Sequence, residues 1–189
     1  MTTTISVCSY KYGDLVSQAI ESVLWQTQPP DEILVVDDGI GDCKHVKTKY
    51  PEVRFIQNEH NLGVVDNFNN ILNNLVKTDR VLFLGADNYL HPEALELMNK
   101  KEEDIVSCDA WIVGEGKYRR WTLHYQPHGS ALYNVDFAQS VGGYQHSGHE
   151  NAEEDSELFK KMFEAGATFT RVDKPLLYYR RHRANYIRH

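Results

Sequence analysis

Glu32-Ile33-Leu34-Val35-Val36-Asp37-Asp38-Gly39 decides the reading of the fold. Its apolar residues follow one another almost without a break, the pattern of a strand covered on both faces in a parallel sheet. Two carboxylates and a turn-forming glycine stand directly after it. Upstream, 5–8 reads as another short apolar strand. Residues 14–25 read as a helix with Leu15, Ala19, Ile20, Val23 and Leu24 toward one side. Downstream come a short helix at 44–50, a strand at 53–56, a helix at 66–75 and a strand at 80–84. Strands alternating with helices at this spacing predict a doubly wound α/β sheet.

Past Pro92 the rhythm changes. A helix over 92–99 leads to a strand near 105–107, and 110–113 and 118–124 read as antiparallel strands joined by Gly114-Glu115-Gly116-Lys117. A helix over about 153–165 stops at Gly166, a residue suited to a helix C-terminus. Residues 172–179 return as an extended segment. No repeat, linker or low-complexity tract interrupts the chain, so 1–189 is expected to form one domain.

The chain is 41% hydrophobic and 25% charged, an ordinary globular composition, with a formal net charge of −7. That charge argues against nucleic acid as a partner, since such binding rests on neutralising phosphates. The tail runs the other way: Arg171, Lys174, Arg180, Arg181, Arg183 and Arg188 face the single acid Asp173, either as a solvated face or as an anion site. Cys8, Cys43 and Cys108 are odd in number and lack CxxC spacing, which predicts reduced thiols in a cytoplasmic setting. The first residues show no charged-then-apolar leader, so no signal peptide is expected. No apolar run approaches the roughly 20 residues that span a bilayer. Membrane contact, if any, would be peripheral.

Ligands of an open parallel sheet gather at the carboxyl ends of its strands. The residues there are Ser9-Tyr10, Asp37-Asp38-Gly39, the 58–63 stretch with Asn61-Leu62-Gly63, and Ala86-Asp87-Asn88. A carboxylate such as Asp87 suits a divalent cation that keeps waters and takes substrate phosphates as further ligands. Capping the next helix is its competing role, though Pro92 makes His91 or Asn88 the nearer cap. Glu153-Glu154-Asp155-Ser156-Glu157 puts more acid into a first helical turn than the helix dipole asks for, so a general base is expected among them. His146 and His149 stand three apart, but no Cys or further His lies at zinc-ligand spacing. With Gly142, Gly143 and Gly148 around them, a mobile acceptor-facing loop is the expectation.

These residues resemble the inverting family 2 of GT-A glycosyltransferases. The likeness rests on Ile5-Ser6-Val7-Cys8-Ser9-Tyr10-Lys11, on Ser22-Val23-Leu24-Trp25-Gln26-Thr27, on 32–39, and on Asn61-Leu62-Gly63 with Asn67-Phe68-Asn69. It continues through Phe83-Leu84-Gly85-Ala86-Asp87-Asn88, Gly129-Ser130-Ala131-Leu132, Val141-Gly142-Gly143-Tyr144, Glu154-Asp155-Ser156-Glu157-Leu158 and Tyr178-Tyr179-Arg180-Arg181-His182. Each motif alone is weak; their order over nearly the whole chain is not. The resemblance implies a GT-A, Rossmann-like α/β fold: a mostly parallel sheet flanked by helices, with a small antiparallel portion on the acceptor side. It implies a nucleotide-binding half at about 1–90 and an acceptor-binding half at about 91–189.

It further implies a nucleotide-diphosphate sugar donor, UDP-sugar favoured, and a glycan, lipid-linked or other hydroxyl acceptor. Ser9, Tyr10 and Asp38 match positions that hold the base, with Asn61 and Gly63 beside them. Asp87 matches the acid that ligates Mn²⁺ or Mg²⁺, and His182 a histidine that joins the metal or diphosphate. Asp155 matches the general base, and Arg180 or Arg181 would neutralise the leaving group. Two departures stand out: the metal motif, and a chain that is short for the family, which is expected to lack a C-terminal extension that often shapes the acceptor site. Ala86 stands where the metal motif is read to carry another acid, with Asn88 in place of a third. Arg119-Arg120-Trp121 looks like part of a processive motif but precedes Asp155, so single transfer is expected. A nucleotidyltransferase would carry a glycine-rich basic loop after the first strand, and Ser9-Tyr10-Lys11-Tyr12-Gly13 has one glycine. A non-catalytic nucleotide-sugar-binding module is the other alternative.

Overall fold

In the computed structural model, which describes residues 1–114, 117–122, 127–146 and 154–182, the first half forms the strands expected of it. They are β1 (Thr3–Ser9), β2 (Glu32–Asp37), β3 (Arg54–Gln57) and β4 (Arg80–Gly85). All are parallel, in the order β3-β2-β1-β4. Side chains alternate between two cores, as strand geometry requires. Val35, Leu82 and Leu84 enter one core with Ile5 and Val7. Leu34, Val36, Val81 and Phe83 enter the other. Both faces being dry explains why the 33–36 run needs no polar residue.

α1 (Val16–Leu24), α2 (Val46–Lys49) and α4 (Ala94–Asn99) cover the first face through Val16, Ile20, Val46, Leu95 and Met98. The second face is covered by α3 (Val64–Asn70), α5 (Val135–Ser140) and α6 (Glu154–Glu164). The helix expected over 66–75 is α3 running into a π-helical turn at Ile71–Leu75, closed by Val76 N–H donating to the Ile71 carbonyl at 2.9 Å.

The second half extends the same sheet. β8 (Leu132–Asn134) pairs antiparallel with β4 and with β6 (Ile105–Gly114), joining the halves. β9 (Phe169–Arg180) runs parallel to β6, with an irregularity at Cys108–Ala110. β7 (Lys117–Trp121) returns antiparallel from β6, and β5 (Tyr89–Leu90) pairs antiparallel with β9. The segments 105–107 and 110–113, read as two strands, are thus one. β5, β8 and α5 were not foreseen. α5 begins at Asn134, whose side chain accepts from Phe137 N–H at 2.9 Å. α4 starts two residues later than Pro92 with Glu93 at its N-cap position, so neither cap candidate caps it; His91 Nδ1 accepts from Glu93 N–H at 3.2 Å. Asn88 Oδ1 instead accepts from Arg180 N–H at 2.9 Å.

None of the three cysteines is paired; Cys43 and Cys108 are buried and Cys8 is half-buried. Among the described residues no helix is long and apolar enough to cross a membrane. Glu115, Gly116, Leu123, His124, Gly148, His149, Glu153, Arg183 and Arg188 lie outside the described residues.

Candidate active site

The carboxyl ends of the central strands finish level. Ser9 lies opposite Asp37, and Cys8 opposite Gly85. Asp38 N–H donates to the Ser9 carbonyl at 2.8 Å, and Ala86 N–H to the Cys8 carbonyl at 2.9 Å. Above this row opens a cleft with two lobes. The narrower, of about 300 Å³, is lined by Ser9, Tyr10, Asp38, Asn61, Gly63 and Asp87. The wider, of about 580 Å³, is lined by Ile112, Arg119, Trp121, His128 and Arg181. Phe68, Gly85, Asn88, Asp155 and Tyr179 belong to both.

The narrow lobe is built by backbone bent around two acids. Asp37 is fully buried, and its carboxylate accepts from the N–H groups of Ile40 (3.0 Å), Gly41 (2.9 Å) and Cys43 (3.3 Å). Asp38 accepts at Oδ1 from Asn58 Nδ2 (2.8 Å) and Leu62 N–H (2.9 Å), and at Oδ2 from Gly63 N–H (3.1 Å). A carboxylate oxygen takes two donors, so Oδ2 keeps room for one more, the place a base N–H would take. Gly39, at φ +81°, lets the two loops touch: an ideal Cβ there would lie 2.2 Å from the His60 carbonyl carbon. Tyr10 is 38% exposed at the lobe's rim, open to stacking, with Lys11 Nζ 4.8 Å from its ring centre.

Asp87 and His182 meet as expected, Nε2 to Oδ2 at 3.1 Å. Asp87 is 7% exposed, and His182 packs edge-on against Tyr12 with ring centres 5.5 Å apart. A carboxylate beside one imidazole fits Mn²⁺, with water and substrate phosphates completing the shell; for Mg²⁺ the carboxylate alone is the favoured ligand. Another cluster, Asp37, Asp42 and Cys43, has the spacing of a metal site. Its chemistry does not fit one. Asp37 is committed to backbone N–H groups, and burial pushes the Cys43 thiol up to about 12, leaving it a donor to Ser9 Oγ at 3.2 Å.

The place of the missing acid is corrected by the structure. Ala86 is 1% exposed and packs in the first core, so an acid there would sit in apolar surroundings. The residue facing the cleft is Gly85, where a Cβ would lie 2.8 Å from Asp87 Oδ1. Arg180 and Arg181, expected to neutralise the leaving group, diverge, and neither lines the narrow lobe that holds Asp87. The Arg180 guanidinium donates to Gln18 Oε1 and lies 5.5 Å from the Tyr89 ring centre. Arg181 reaches into the wide lobe, its N–H held by the Val113 carbonyl at 2.7 Å.

Asp155, in the first turn of α6, stands where the lobes join. Its Oδ2 faces Gly129, whose added Cβ would lie 2.3 Å away, so a side chain at 129 would displace the carboxylate. Its Oδ1 is buried and has no hydrogen-bond partner among the described residues. Burial, reinforced by the neighbouring Glu154, raises its carboxyl to about 7. Glu154 also lines the narrow lobe, so the first turn of α6 presents two acids to the cleft rather than one.

Sequence reading overlooked His128, Ile112 and Tyr179. His128 is buried, which drives its imidazole down to about 4. The neutral ring accepts at Nδ1 from Ser130 N–H (3.1 Å), an assignment that puts the proton on Nε2, 3.4 Å from Cys108 Sγ. It thereby fixes the turn that carries Gly129 against Asp155. The signal available was its place one residue before the Gly129 motif. His146 is exposed, with Nε2 3.4 Å from Asp66 Oδ1 and no second ligand at hand among the described residues.

The family model described as "Glycosyl transferase family 2" matches residues 4–170. Among curated proteins, an uncharacterized Mycobacterium tuberculosis protein, MT1568, is 32% identical over 105 residues, 53% of this chain and 33% of that one. The poly(ribitol-phosphate) beta-glucosyltransferase of Bacillus spizizenii is 31% identical over 102 residues, 50% of this chain and 16% of that one. The chain thus spans a third or less of these relatives. Among solved structures, S. aureus TarS 1-349 in complex with UDP-GlcNAc superposes with a TM-score of 0.82 at 18% identity, covering 98% of this chain and 60% of TarS 1-349. The mannosyltransferase PcManGT from Pyrobaculum calidifontis, in complex with GDP-Man and Mn²⁺, gives 0.74 at 16% identity, covering 97% of this chain and 58% of PcManGT. With a GT-A fold and a family match over nearly its whole length, the chain belongs to glycosyl transferase family 2.

Proposed function

We propose that this chain transfers a single sugar from a nucleotide-diphosphate sugar, UDP-sugar favoured, to an acceptor hydroxyl, with metal assistance and inversion. The observation that carries the reading is Asp155: a carboxylate raised to about 7, one oxygen without a partner among the described residues, between a lobe of nucleotide-binding character and a second open lobe. UDP-GlcNAc and GDP-Man in the structural neighbours support a donor of this class. Unpaired cysteines suit a cytoplasmic setting.

In this reading Tyr10 stacks on the base and Asp38 Oδ2 accepts its N–H, with Ser9, Asn61 and Gly63 lining the same lobe. Asp87 and His182 would hold Mn²⁺ or Mg²⁺, which supplies positive charge to the diphosphate as it leaves. Asp155 takes the proton of the acceptor hydroxyl while its oxygen bonds to the anomeric carbon. The bond from that carbon to the diphosphate breaks, and the nucleoside diphosphate departs with the electron pair. Retention would need an enzyme carboxylate as nucleophile. Glu154 is the acid near enough to consider, and one helical residue separates it from Asp155 by about 100°.

Calorimetric titration with UDP, first in EDTA and then with Mn²⁺, tests the donor site. Affinity should rise with the metal, and equal affinity in both would remove Asp87 and His182 from that role. Proton NMR of the product's anomeric coupling tests the stereochemistry: an α-linked donor should give a β-linked product, and a retained α linkage would overturn the one-step mechanism.

A further inference from the structure

The described arginines differ in what they face. Arg54 pairs with Glu32, Arg120 and Arg171 with the buried Asp109, and Arg180 with Gln18. Arg80 donates to the carbonyls of Lys101 and Glu103. Arg119 and Arg181 have no ion-pair partner among the described residues, although the chain as a whole carries more acids than bases. Both line the wide lobe.

Strand register explains why they share it. Arg119 of β7 lies opposite Ile112 of β6, and Ile112 lies opposite Tyr179 of β9. Arg181 follows Tyr179 by two residues, which returns it to the same side of the sheet. Two residues back, Trp121, Ala110 and Leu177 continue that side. Trp121 and Tyr179 meet edge-on with ring centres 6.1 Å apart. This side of the sheet thus presents Arg119, Arg181, Trp121 and Tyr179 to the lobe that Asp155 also lines.

Both arginines are exposed at the lobe, where two like charges set up a positive field that attracts an anion. The guanidinium fork matches phosphate oxygens in pairs, and the aromatic rings suit the C–H face of a sugar or polyol. The donor's diphosphate belongs with Asp87 in the narrow lobe, which neither Arg119 nor Arg181 lines. The negative charge they await is therefore on the other substrate. We infer that Arg119 and Arg181 grip a phosphate on the acceptor, which is a phosphorylated sugar or polyol whose free hydroxyl reaches Asp155. This assignment rests on the glycosyl-transfer reading above and names the acceptor class for it.

The test uses the full chain with Mn²⁺ and saturating UDP, so that the narrow lobe is filled. Glycerol 3-phosphate is titrated by calorimetry, with inorganic phosphate, glycerate and glycerol in parallel. Glycerol 3-phosphate should bind, inorganic phosphate more weakly and glycerol not at all. Arg119→Gln or Arg181→Gln should each weaken glycerol 3-phosphate roughly 10-fold, the double variant should abolish binding, and UDP affinity should stay within about twofold. The lysine variants keep the charge and should keep part of the affinity, with unchanged circular dichroism as the control on folding. The inference falls if glycerol 3-phosphate does not bind, binds the double variant as well as wild type, or is matched by glycerate. If UDP itself fails to bind, the donor reading fails separately, and the same titration without UDP still decides the arginines' role.

Discussion

The two lobes of the cleft are built on opposite principles. In the narrow lobe the acids are spent on the protein's own backbone: Asp37 holds the 40–43 turn and Asp38 the 62–63 turn. In the proposed reading a nucleotide would meet a surface whose shape is already set, at low ordering cost. The wide lobe keeps charged groups unmet: among the described residues Arg119 and Arg181 have no acid partner and Asp155 Oδ1 has no donor. Leaving the buried Oδ1 so costs stability, and it belongs to the residue proposed as the base.

The sharpest way to break this division is Asp155→Asn. Transfer should fall roughly 10²–10⁴-fold while UDP affinity holds; a parallel loss of UDP affinity would mean the lobes are not separate. Asp37→Ala probes the opposite case. It leaves three backbone N–H groups without their acceptor and should cost about 3 kcal/mol, read as a lower urea midpoint. An unchanged midpoint would show that the narrow lobe is not held by its own acids.

Gly129→Ala should push Asp155 from its place, reducing transfer roughly 10-fold or more with little change in UDP affinity. Turnover at the wild-type rate would show that the turn yields. The smallest effect is in stability against pH. With the folded carboxyl at about 7 and an ordinary value of 3.8, the unfolded chain loses this proton first. Asp155 costs nothing below about pH 4, its cost grows as pH rises toward 7, and it stays constant above. Asp155→Asn should therefore match wild type at pH 3.5 and exceed it at pH 8 by about 1 kcal/mol, a figure discounted for the water-facing side of the residue. Wild-type transfer should rise with pH through the same region. A variant advantage that shrinks as pH rises would contradict the raised carboxyl.

Legibility in the sequence followed the same line. β1, β2, β3 and β4, with Asp38, Asn61, Gly63 and Asp87 in the loops that follow them, declare themselves because each is a local run closed by its own turn. β5 is two residues long and β8 three, and each exists through distant partners: Tyr178 for Tyr89, and Val81 for Tyr133. No local periodicity can signal them. The same holds for Arg119 and Tyr179, far apart in the chain and brought to one side by Ile112. Gly85 was passed over for Ala86 because a sequence shows which residue is present, not which face it turns to the cleft.

Trp121 has a use beyond packing. Of the three tryptophans, Trp25 is 70% exposed at the end of α1, and Trp111 alternates to the reverse side of β6. Trp121 alone lines the cleft, against Tyr179. Replacing Trp25 and Trp111 with phenylalanine would leave a chain whose intrinsic fluorescence reports from the wide lobe, so that any compound settling there would announce itself optically, with no label and no knowledge of its name.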